Sequence, residues 1–185
     1  MPDLNTLSNE LAEEKCTCRA VIETPKGSRN KFDYDPETNL FVLGGILPEG
    51  MQFPFDFGFI PSTLADDGDP VDVMVLMEAA THVGCLVDVR IIGVIVAEQS
   101  EGSKKETNDR LLGVAIHSYQ HEHLKSIDQV SDTLLSQIEA FFVSYNQQRG
   151  KSFRVKATRG PKGALKVLKA GMRTYRRRDR KGESG

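Results

Sequence analysis

The spacing of apolar residues changes character once along the chain. Over the first two thirds, short apolar runs rich in Val, Ile, Thr and Phe are separated by turn formers, the mark of a strand-built region. CTCRAVIET (16–24), KFDYD (31–35), LFVLGG (40–45), VDVMVLM (71–77), VGCLVDVRIIGVIVAE (83–98) and LLGVAIH (111–117) are predicted strands, the fifth either one long strand or two in succession. PKGSRN and PETN supply turns, and PSTLADDGDP a longer loop. Phe53, Phe55, Phe57 and Phe59 alternate along one stretch. Exposed, such rings can stack bases; core packing of a strand or loop is the expectation here.

The period then becomes helical. SDTLLSQIEAFFVSYNQQ places Leu134, Leu135, Ile138, Phe141, Phe142 and Tyr145 on one face, with Ser131 as cap, Asp132 in the first turn and Gly150 as stop. A second helix is predicted from Pro161 to about Arg176, with Leu165, Leu168 and Met172 inward. Many short strands followed by helices give an α+β protein, a small β-barrel with two C-terminal helices flanking it.

Length and composition fit that picture. The 185 residues, 39% hydrophobic and 27% charged, suit one domain with its own core. We expect it over residues 1–176, with 177–185 a basic, disordered tail. The start, MPDLNTLSNELAEEK, is polar and acidic, unlike a signal peptide. The best apolar run, LVDVRIIGVIVA, is short and broken by Asp88 and Arg90, so no membrane segment is expected. Three cysteines, an odd and sparse set, suit a reducing, cytoplasmic location.

Charge is unevenly spread. Residues 1–148 hold 10 Lys and Arg against 24 Asp and Glu, a balance of −14; residues 149–185 hold 14 against 2, a balance of +12. The acidic part peaks in ADDGDPVDV, where Asp66, Asp67, Asp69 and Asp72 lie within seven residues. Side chains two apart on extended chain point the same way, so Asp67 and Asp69 can converge and Asp72 can join them after Pro70. Such carboxylates repel unless a cation sits among them, and a hard divalent ion such as Mg²⁺ suits oxygen donors. A solvated acidic loop is the plain alternative. A calcium loop of the EF-hand type would need a late Glu and flanking helices, which are absent.

DGDPVD, residues 67–72, resembles the signature of the soluble family I inorganic pyrophosphatases. IETPKGSRNKFDYDPET (22–38), FGFIPSTLADDGDPVDVMVL (57–76) and FFVSY (141–145) are similar to further segments of that family, so the likeness spans roughly residues 18–150. The resemblance implies a five-stranded barrel of OB type and hydrolysis of pyrophosphate to two phosphates with Mg²⁺, Mn²⁺ being an alternative ion. Carried over, Asp67 and Asp72 hold metal, Asp69 is the general base, and Glu23 and Asp33 serve an outer metal position. Lys31 and Tyr145 bind phosphate oxygens. Charge neutralisation and alignment of a nucleophile are what transfer from such a polyanion requires. A homo-oligomer is expected.

Several family residues are replaced. Gly44-Gly45 stands where the family has Asp and Arg, Phe57 and Phe53 where it has tyrosines, Gln99 and Asn108 where it has aspartates, Arg110 where it has lysine, and Asn146 where it has lysine. Asn108 still offers a neutral oxygen to a metal, and Arg110 can face phosphate in place of lysine. Each lost charged contact can slow catalysis about a hundredfold, without the losses multiplying. Two readings follow. One is a pyrophosphatase of reduced turnover whose missing cations come from Arg29, Lys104, Lys105 or the C-terminal segment. The other is a non-catalytic or substrate-shifted homologue that binds metal, phosphate or nucleic acid.

Weaker signals resolve to plain readings. His117, His121 and His123 suit a surface turn better than a metal site. Cys16 and Cys18 read as strand residues on one face, and GKS at 150–152 lacks the earlier glycine of a phosphate loop. The basic segment reads mainly as a solvated helix face; nucleic-acid binding through it is not favoured.

Overall fold

The computed structural model describes residues 3–182. Its strands are β1 (Thr17–Thr24), β2 (Asn30–Asp35), β3 (Leu40–Ile46), β4 (Asp56–Ile60), β5 (Val71–Leu76), β6 (Leu86–Glu101), β7 (Lys104–Thr107), β8 (Arg110–Ala115) and β9 (Ser152–Arg159); its helices are α1 (Asp132–Gln148) and α2 (Pro161–Gly182). β1 pairs with β4, β4 with β5, β5 with β8, β8 with β6, and β6 again with β1. Five strands thus close into a ring, the OB-like barrel expected. Only the β5–β8 pairing is parallel among these five. β2 and β3 form a separate two-stranded ribbon, and β7 and β9 extend the sheet along β6.

Alternation along each strand divides the core. In β5, Val71, Val73 and Val75 join Ile22, Ile60, Ile91 and Leu111, a face covered by Ala164 and Leu168 of α2. Met74 and Leu76 join Ile92, Ile95, Leu112 and Phe57, a face covered by Ile138, Phe141 and Phe142 of α1. Burying each large side chain contributes roughly 1.5–3 kcal/mol, so two-sided burial holds the ring between the helices. Ser131 caps α1 by accepting from Leu134 N at 3.3 Å, and Gly150 follows with φ 73°.

Differences from the sequence expectations have physical causes. β9 was hidden in the basic segment because Arg154, Lys156 and Arg159 leave Phe153 as its buried residue. β7, KKET, is a polar hairpin arm carrying no apolar pattern. Phe57 and Phe59 belong to β4, buried throughout; Phe53 and Phe55 precede it, also buried. The tail expected from residue 177 begins as helix. Helix α2 continues through Gly182, so 177–182 are helical, while 183–185 lie outside the described residues. Cys16 takes φ 51° at a turn before β1, so it shares no strand face with Cys18.

Burial pushes the Cys18 thiol up to about 12, helped by Asp88. A thiol is reactive as its thiolate. Cys16 and Cys85 are half-buried, so a thiol reagent at pH 8 should label them in the native protein and Cys18 only after unfolding. Equal labelling rates at all three positions would contradict the packing of β1.

Candidate active site

The acidic loop between β4 and β5 is fixed from several sides. Ala65 N donates to Asp69 O at 2.7 Å and Asp69 N to Asp67 Oδ1 at 3.2 Å. Thr63 Oγ1 accepts from Val71 N at 2.9 Å, and Gly171 O of α2 accepts from Leu64 N at 3.0 Å. The loop therefore delivers Asp67 and Asp69 on rigid backbone as the chain enters β5, which carries Asp72.

All nine residues singled out in the sequence line one cleft of about 1090 Å³: Asp69, Lys31, Arg110, Tyr145, Asp67, Asp72, Glu23, Asp33 and Asn108. They arrive from β1, β2, β5, β8, α1 and the loops before β5 and β8. Asp69 is pushed up by desolvation and by the charges of Asp67 and Asp33, against the pull of Arg110 and Lys31. Glu23 is raised by burial, with Lys31 opposing. Lys31 Nζ donates to Asp33 Oδ1 at 2.5 Å and lies 3.4 Å from Glu23 Oε2. Tyr34 N donates to Glu23 Oε1 at 2.8 Å.

The replaced residues are not idle. Arg110 Nη1 donates to Asp72 Oδ2, and this guanidinium lies 5.8 Å from the Phe57 and Phe142 rings and 5.9 Å from Phe153. Burial pulls Arg110 down to about 10, opposed by Asp67, Tyr145 and Asp69, so it stays charged at neutral pH. Its Nε is buried without an acceptor. Asn108 Nδ2 donates to Gln99 Oε1 at 2.9 Å. Gln99 Nε2 in turn donates to Glu106 Oε1 at 3.3 Å. Phe57, standing in a tyrosine's place, presents its ring to Lys31 at 5.5 Å as well as to Arg110. A ring face between two cations is attractive without a hydroxyl. Asn146 Nδ2 is spent on Phe142 O at 2.8 Å, within α1.

Of the cations expected as substitutes, Arg29 pairs with Glu49 at 2.7 Å, Lys104 with Glu106 at 2.8 Å, and Lys105 lies 3.9 Å from Glu98. The C-terminal segment, the remaining expected source, does reach the cleft through Arg149, Lys151 and, on α2, Arg178, with Tyr175 also lining it; the sequence reading had not singled these residues out. Arg149 was detectable as the residue one helical turn after Tyr145; Arg178 was not, because its reach depends on how α2 packs. Among the described residues no group of three or more His, Cys, Asp or Glu side chains is drawn together closely enough to hold a metal ion, neither the three histidines nor the cleft carboxylates.

Residues 20–176 match the family model described as inorganic pyrophosphatase. The chain is 35% identical over 159 residues to the inorganic pyrophosphatase of Thermus thermophilus, covering 84% of this chain and 89% of that protein. It is 34% identical over 165 residues to that of Methanosarcina mazei, covering 89% and 95%. The crystal structure of the Thermus thermophilus enzyme superposes with a TM-score of 0.85 over 95% of this chain and 99% of that one, at 32% identity. The Neisseria gonorrhoeae structure gives 0.84 over 94% and 99%, at 27% identity.

Proposed function

The chain belongs to the inorganic pyrophosphatase family, and on that premise we propose that it hydrolyses pyrophosphate to two phosphates in the cleft around Asp67, Asp69 and Asp72. The observation that supports this best is the convergence of those three aspartates with Lys31, Arg110 and Tyr145 on one cleft. Water attacks one phosphorus, the bridging P–O bond breaks, and the second phosphate leaves. Asp69 takes the proton of the attacking water; its raised affinity for protons suits a base. Lys31, Arg110 and Tyr145 face the phosphate oxygens.

The family implies divalent metal, and the donors are oxygens of the kind a hard cation takes, although among the described residues no three carboxylates are drawn together around one point. Asp67 and Asp69 are oxygen donors whose mutual repulsion outweighs the pull of either Arg110 or Lys31 on Asp69. Asp72 retains Oδ1, since Arg110 takes Oδ2, and Asn108 retains its Oδ1, since only its Nδ2 is used toward Gln99. Asp67, Asp72 and Asn108 would hold one position and Glu23 with Asp33 an outer one. Mg²⁺ there would withdraw charge from phosphoryl oxygens and acidify bound water. Arg110 and the neutral Asn108 make the set less negative than three free carboxylates, so weak metal binding and slow turnover follow.

Those same pairings favour a second reading, a phosphate-binding homologue without turnover. Phosphate release from pyrophosphate separates the two: Mg²⁺ should support it and excess chelator should abolish it. No release at any Mg²⁺ concentration would leave the second reading. A cytoplasmic homo-oligomer belongs to the same proposal. Leu40, Leu43 and Ile46 are exposed on the β2–β3 ribbon, and no helix among the described residues is long and apolar enough to cross a membrane.

A further inference from the structure

We propose that Arg149, at the C-terminal end of α1, is a phosphate-binding residue of this cleft and takes over the space left by the missing side chain at Gly45. The inference rests on the pyrophosphate reading above. Gly44 and Gly45 lie on β3, Gly45 paired with Lys31 and Gly44 at the break in register that follows. A Cβ at Gly44 would fall 1.7 Å from Asp33 Oδ2, so the Asp33 carboxylate fills that position. A Cβ at Gly45 would meet a single neighbour within 4 Å, Arg149 Nη1 at 3.7 Å. The guanidinium of one element therefore stands against the empty side-chain position of another.

Arg149 is held in place by Tyr145, one turn earlier on α1. Nη1 donates to Tyr145 Oη at 3.2 Å, and the guanidinium lies 5.5 Å from the Tyr145 ring centre. Four other cations of the cleft are committed, Lys31 to Glu23 and Asp33, Arg110 to Asp72, Lys104 to Glu106 and Lys151 to Glu101; Arg178 of α2 also lines it without an ion pair among the described residues, but the space at Gly45 is met by Arg149. Arg149 lines the same cleft and has no carboxylate partner among the described residues. It also borders the smaller recess formed by Lys31, Gly45, Leu47 and Tyr145. A planar guanidinium without an acid partner, beside a lysine and a tyrosine hydroxyl, is a fork suited to two oxygens of one phosphoryl group. The ligand class is an inorganic phosphate or diphosphate.

The test is a swap read by binding. Calorimetry with methylenediphosphonate, a diphosphate whose bridge cannot be hydrolysed, gives an affinity independent of turnover. Arg149→Ala should weaken it about tenfold, the scale of one charge-assisted hydrogen bond. Gly45→Arg in the Arg149→Ala background should recover most of the loss, because the arginine then enters from β3 into vacated space. Gly45→Gln in that background, which adds a polar side chain without charge, should not. Circular dichroism reports whether each variant is folded, and Arg149→Lys, retaining charge without the fork, should fall between wild type and Arg149→Ala. Unchanged affinity in Arg149→Ala, or equal affinity of the Gly45→Gln and Gly45→Arg double variants, overturns the proposal. If wild type binds the analogue with this pattern yet releases no phosphate from pyrophosphate, the hydrolytic reading fails and the binding role of Arg149 stands.

Discussion

Arg110→Met is expected to lower unfolding stability by about 3 kcal/mol in chelator, because removing one partner of a buried ion pair strands the other. The side chains of Arg110 and Asp72 are 8% and 21% exposed, so solvent screens the pair little. Methionine keeps bulk against Phe57, Phe142 and Phe153, which confines the change to charge. Three aspartates, Asp67, Asp69 and Asp72, are then left with one cation fewer. Mn²⁺ should therefore restore much of the lost stability to the variant and add less to wild type, by binding to the folded state alone. Urea unfolding of both proteins, with Mn²⁺ and with chelator, gives all four values. A variant as stable as wild type in chelator, or the same Mn²⁺ increment in both, would show that Arg110 does not stand in for cationic charge at the aspartates.

The second large effect runs the other way. Asn108→Asp should tighten Mn²⁺ binding about tenfold or more, since at the proposed metal position it would add a full negative charge at unchanged size. Gln99 can meet the new carboxylate by turning its amide so that Nε2 donates to residue 108, giving up its 3.3 Å bond to Glu106. Turnover of pyrophosphate should rise with metal occupancy at low Mg²⁺. Calorimetric titration of wild type and variant with Mn²⁺ decides it; indistinguishable affinities would remove residue 108 from the metal position.

What could be read from the chain followed the physics of each segment. β1, β5, β6 and β8 announce themselves because their faces are buried, and α1 because its apolar residues recur with helical period. β7 and β9 were silent because pairing to β6 needs only backbone, while their side chains stay charged. The aspartate loop was legible since local repulsion is written in adjacent residues. Its counterparts were not. Arg110 reaches Asp72 across 38 residues because β5 and β8 are parallel neighbours in the closed ring. The Gln99–Asn108 pair forms where β6 turns back through β7 and meets the entry to β8. Read linearly, both replacements look like losses; in the fold each meets a partner. Gly45 is similar, since nothing in LFVLGG says that a guanidinium from α1 stands beside it.

The central claim is that Asp69, on its rigid loop, accepts the proton of a water attacking pyrophosphate. Initial rates of phosphate release by wild type and Asp69→Asn, at equal protein and saturating Mg²⁺, test it most directly. The substitution preserves shape and removes the base, so the account predicts at least a hundredfold fall, about 2.7 kcal/mol or more in the barrier, with folding unchanged. Equal rates from the two proteins would contradict it.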